Sequence, residues 1–229
     1  MWRTEAYDAV IADRLSRKGD GFNALAELVS FIDRAAPAYG DAESRANVDL
    51  SRLRALSLAT AAIPFGNAKR EPYASWLAAR KSDVTYDEPG GRWMVRNTSI
   101  WDAHAKHQET AVADDIAWFA VTSGLAGECE TDLPCRVTWI DRLEGEYLRR
   151  RPTGAHVGLV HWRIADRLDR FLTSLQARPA LIAEFKPPVH CTALRLHLDP
   201  LRAAVDSTTS PNQAAAQAAL TRYAQLCAG

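Results

Sequence analysis

The sequence predicts a mainly α protein: a helical bundle of about eight helices with one small β-hairpin near residues 84–96. Three observations carry that reading. Apolar residues recur every three or four positions through most of the chain, the spacing of one buried helix face. Prolines and glycines (Pro37, Pro64, Gly124, Pro152, Gly154) fall between these runs, where helices stop and start. Only one stretch, Val84 to Arg96, has paired β-type runs around a turn sequence.

Taken in order, residues 4–18 carry Tyr7, Val10, Ile11 and Leu15 on one helical face, ended by Gly19-Asp20-Gly21. A second helix carries Phe22, Leu25, Leu28, Val29 and Ile32 and stops before Pro37. A third, from near Asp41, carries Leu50, Leu53, Leu56, Ala59 and Ile63 up to Pro64. These three read as an antiparallel unit. Pro72 opens a short helix with Tyr73, Trp76 and Leu77. Val84-Thr85-Tyr86 and Trp93-Met94-Val95 then pair across Asp87-Glu88-Pro89-Gly90-Gly91. Two strands alone are marginal, so the hairpin must lean on helices. Residues 1–80 are expected to form an N-terminal helical unit and 81–229 a disulfide-stapled unit with the hairpin, the two reading equally as one continuous domain.

Asn97-Thr98-Ser99 matches a glycosylation acceptor, a pattern common by chance. Ile100-Trp101-Asp102 leads into a helix with Val112, Ile116, Phe119 and Ala120 on one face, capped by Gly124. Pro134 opens a helix with Val137, Ile140, Leu143, Tyr147 and Leu148. Gly145 interrupts it at about 1 kcal/mol against alanine, as a glycine does where another backbone packs close. Val157, Val160, Ile164, Leu168, Phe171, Leu172 and Leu175 make the clearest stripe of all. Residues 178–190 read as loop, Leu194/Leu196/Leu198 as a strand or a helix start, and Asp199-Pro200 as an N-cap and first helical residue. Ser210-Pro211-Asn212-Gln213 has the form of a capping box before a last helix with Leu220, Tyr223 and Leu226.

Charge excludes some functions. With 28 basic and 28 acidic residues the formal net charge is zero, which disfavours bulk affinity for nucleic acid or an anionic membrane. No apolar window of roughly 18 residues exists, so no transmembrane segment is expected. No phosphate-cradling or dinucleotide glycine motif is present, nor a Gly-x-Ser-x-Gly elbow, and no cofactor is expected.

The four cysteines, Cys129, Cys135, Cys191 and Cys227, bear on compartment. In an exported protein they make two disulfides. Cys129 and Cys135 close a short polar loop, and Cys191 pairs naturally with Cys227 across the C-terminal segment. Four buried thiols or a zinc site remain alternatives. The N-terminus shows no signal-like apolar stretch. Localisation is therefore read as periplasmic or secreted with the leader lost, or alternatively as cytoplasmic.

The segment Gly127-Glu128-Cys129-Glu130, the second cysteine Cys135, Gly145-Glu146-Tyr147-Leu148 and Pro152-x-Gly154 together resemble uncharacterised exported bacterial proteins. The last part also resembles the helix junction of tetratricopeptide-like periplasmic proteins. The resemblance spans about residues 100–175 and implies export and helical architecture, with no activity.

Candidate chemistry is sparse. Glu128 and Glu130, with Asp132, crowd one loop, and like charges raise one another's pKa, which suits an acid/base pair or a cation. They are catalytic candidates together with His156, although loop carboxylates are usually just solvated. His104 and His107 share a helical face and suggest zinc; polar helix starts carry such histidines without metal too. His161 beside the apolar stripe reads as a satisfied, partly buried side chain. Trp101, Trp118, Trp139, Tyr147 and Arg150 are candidate binding residues, the tryptophans as a groove or simply as an aromatic core. Arg149-Arg150-Arg151 suits a carboxylate or phosphate, or a plain helix end. The leading expectation is an exported, non-catalytic module that binds a protein or cell-envelope partner. The alternatives are a hydrolase using Glu128/Glu130 with a histidine, and an immunity or inhibitor protein.

Overall fold

A computed structural model describes residues 21–127, 129, 133–177 and 187–227. The expected helix at 4–18 and the carboxylates Glu128, Glu130 and Asp132 lie outside the described residues. The chain divides into two compact units, Met1–Glu128 and Cys129–Gly229. The boundary expected at 80/81 falls inside the first unit. Counting Leu133–Arg150 as one helix, the described residues form nine α-helices and one two-stranded antiparallel sheet, the mainly α architecture expected.

In the first unit α1 (Gly21–Ala35) buries Phe22, Leu25, Leu28, Val29 and Ile32, the stripe read from the sequence. Pro37 turns its end into a short 3₁₀ segment. α2 (Ala42–Ala61) starts where the Asp41 side chain accepts the Ser44 N–H at 2.8 Å. It packs on α1 and on β2, which is the support the hairpin needs. α3 (Tyr73–Ala79) follows Pro72. β1 (Val84–Asp87) pairs with β2 (Arg92–Val95) in the register Val84↔Val95 to Asp87↔Arg92. Gly91 takes φ +61° in the turn, a region side chains avoid. A Cβ at Gly90 would lie 2.2 Å from an Asp87 carboxylate oxygen.

The sequence led one helix through residues 101–120. The structure breaks it into α4 (Asn97–Lys106) and α5 (Ala113–Ser123). No proline or glycine marks the break. α2 makes it instead: Asp49 takes both Lys106 Nζ and His107 Nε2 at 2.7 Å, and Glu43 accepts the Ala111 N–H at 3.2 Å. Asn97 is buried, and its amide donates to the carbonyls of Ala120 (2.8 Å) and Gly124 (3.2 Å) at the end of α5. The acceptor motif is thus a structural tie. Gly124, φ +76°, ends α5 as expected.

In the second unit Leu133–Ile140, a π turn Asp141–Gly145 and Glu146–Arg150 run on as one helix, α6. Gly145 does not break it. A Cβ there would meet the Asp141 carboxylate at 2.8 Å and Leu201 at 3.1 Å, so the close approach is by side chains, not by a backbone. α7 (Val157–Gln176) follows the Pro152–Gly154 turn, where the Gly154 N–H donates to the Arg151 carbonyl at 3.0 Å.

Three readings of the C-terminal third are corrected. α8 runs from Pro187 to Asp206, so residues 187–190 are helix and not loop. Leu194 and Leu198 are its buried i, i+4 pair, while Leu196 is 70% exposed. Pro200 lies inside α8 and starts nothing. It is exposed, as is Leu196 four residues back, so the carbonyl robbed of its partner sits on the wet side of the helix. α9 (Gln213–Gln225) has no side-chain cap. Ser210 Oγ accepts the Asn212 N–H (3.1 Å), and Gln213 turns away to donate to the Val205 carbonyl (3.0 Å), so the capping box does not close. Both expected disulfides form, Cys129–Cys135 into the first turn of α6 and Cys191–Cys227 between α8 and the end of α9. No helix among the described residues is long and apolar enough to cross a membrane.

Candidate functional site

The candidate chemistry sorts into buried polar clusters in the second unit and an open groove in the first. The π turn of α6 swings two carboxylates inward. Glu144 is 0% exposed and accepts from Arg163 Nε at 3.0 Å and from Arg167 Nη1 at 2.9 Å to each oxygen, both arginines from α7. Asp141 accepts from Arg149 Nη1 at 2.7 Å, with His197 Nδ1 at 3.2 Å from α8. π turns frequently sit at functional sites. Here Glu144 is matched by two arginines of α7, and Asp141 by Arg149 of α6 itself.

His161, also 0% exposed, lies between two hydroxyls: Nδ1 to Ser210 Oγ at 2.7 Å and Nε2 to Thr208 Oγ1 at 2.9 Å. Thr208 donates its hydroxyl to the Ala204 carbonyl (3.0 Å), so it accepts from Nε2–H. Nδ1 is then bare and takes the Ser210 hydroxyl. Burial pushes the His161 pKa below its ordinary value of 6.5, which keeps the ring neutral. The arrangement has the order of a serine–histidine dyad with an orienting group. It also fastens α7 to the α8–α9 connection. The expectation of a satisfied histidine holds, with complete burial where partial burial was expected.

The residues singled out from the sequence are placed as follows. Glu128 and Glu130 lie outside the described residues. His156 is half-buried, and its backbone N–H donates to the Tyr147 hydroxyl at 3.1 Å. Tyr147 is 0% exposed, a core side chain that locks the turn before α7. Arg150 Nε pairs with Glu146 Oε1 at 2.5 Å and Arg149 also reaches Glu146. Burial alone would raise the Glu146 pKa, but Arg150 and Arg149 outweigh it and hold the carboxyl below its usual value. The basic run is thus a paired helix end. In the first unit Trp101 is buried with His104 edge-on at 5.8 Å, and Trp118 is half-buried on α5. Trp139 is half-buried on α6 in the second unit. His107 is committed to Asp49, whose carboxyl burial would raise but Lys106 and His107 hold low. No cluster of three metal-ligating residues forms among the described residues.

The groove was missed in the sequence. It runs along the outer face of α1, encloses about 900 Å³ and is walled by Phe22, Ala26, Phe31, Pro72 and Trp76. Phe31 is 48% exposed. Trp76 is only 8% exposed, stands edge-on to Phe22 at 5.3 Å, and its Nε1 is buried with no acceptor among the described residues. Arg80 lies over the Trp76 ring at 4.8 Å and donates to Ser30 Oγ at 3.3 Å. The signal was Phe31, a large aromatic off the buried stripe of its own helix.

Searches of protein families, characterised proteins and solved structures found nothing that matches this chain.

Proposed function

We propose that the chain is an exported, non-catalytic helical module that binds a protein partner through the α1 groove. One observation carries the reading: an open, aromatic-walled groove holding an exposed Phe31. Exposed apolar patches on a folded surface mark contact sites. Export is supported by the two disulfides, which persist in oxidising compartments. The non-catalytic half is supported by the carboxylates of the π turn, whose lone pairs are already occupied by cations. A working acid or base keeps one side open to substrate.

The test is a photo-crosslinking residue at position 31 in cells that make the protein, with the exposed position 196 as control. A discrete adduct at 31 alone, whose purified partner rebinds the normal chain but not Phe31→Asp, supports the reading. No adduct at 31, or equal rebinding by Phe31→Asp, overturns it.

A further inference from the structure

We draw no further inference here: the strongest candidate, the aromatic patch at the hairpin turn where Phe65 (82% exposed) lies over Gly91 beside the Tyr86–Trp93 pair, is an exposed apolar face, and nothing in the structure shows what covers it.

Discussion

Replacing Glu144 should separate a structural staple from a reactive carboxylate. The side chain is 0% exposed and receives three contacts at 2.9–3.0 Å from Arg163 and Arg167. Its arginine partners are about 30% exposed, so their heads rehydrate in part when the carboxylate goes. Removing one partner of a buried pair costs about 3–5 kcal/mol; that rehydration places Glu144→Ala at the lower end, about 3 kcal/mol. Glu144→Gln keeps the volume and one acceptor but loses the charge, and should cost about 1.5–3 kcal/mol. For a unit of this size 1 kcal/mol is about 4–8 °C, so Ala should lower Tm by about 12 °C or more, and Gln by less. Chemical denaturation and calorimetry on the purified chain measure both. The double variant Glu144→Leu/Arg167→Leu should recover part of the stability lost in Glu144→Leu alone, because one of the two charges left behind is gone. A cost under about 0.5 kcal/mol for both Ala and Gln would refute the staple.

Two further perturbations read other ties. His161 has its folded pKa held below 6.5, so its neutral form belongs to the fold. Its contribution is complete above about pH 6.5 and is lost as pH falls from there, at up to about 1.4 kcal/mol per pH unit until the folded pKa is passed. His161→Gln should flatten the stability profile between pH 6.5 and 5, above the range where Glu146 and Asp49 begin to protonate; an unchanged slope would count against the burial argument. Native protein should show no free thiols, and Cys191→Ser/Cys227→Ser, opening a crosslink 36 residues apart, should cost about 2–4 kcal/mol by denaturation.

Most of the architecture was legible because it rests on local period. The stripes of α1, of α2 from Leu50 to Ala59 and of α7 from Val157 to Phe171 are buried in the structure, and the hairpin turn appears where its glycines and proline sit. What was not legible depends on distant partners. The α4/α5 break is imposed by Asp49 and Glu43 of α2, and nothing in residues 101–112 announces it. Pro200 reads locally as a helix start, but the solvent side of α8 tolerates it. The capping box at Ser210 fails because the Gln213 side chain is drawn to the Val205 carbonyl of α8 and the Ser210 oxygen takes the Asn212 N–H instead. Glu144 was passed over because a charged residue between Leu143 and Tyr147 looks like a solvated position; only the π turn rotates it inward. Loop carboxylates drew attention through clustering in sequence, whereas the clusters that form are assembled from separate helices.

The same contrast bears on where function lies. Glu144, Asp141 and His161 have the residue types of catalysis, yet each has its hydrogen-bonding capacity taken up by the fold. A carboxylate bound by two guanidinia must break those bonds before it can take a proton from anything else, and for a 0% exposed group that means opening the packing of α6 against α7. Such a group stabilises the unit and orders the π turn. The α1 groove is the reverse case. Phe31 exposes apolar surface that folding alone would hide. The exposed ring of Phe31 adds little to the free unit, and a partner seated on the groove would cover it. Binding that recovers an existing deficit gains affinity without new cost to the partner, so substitutions that cure the deficit should stabilise the free chain while weakening the complex. Phe31→Ser is the direct case: a neutral or slightly raised Tm with lost partner binding fits a contact surface, whereas a fall of several degrees would make Phe31 a core residue of the unit and remove the groove from consideration.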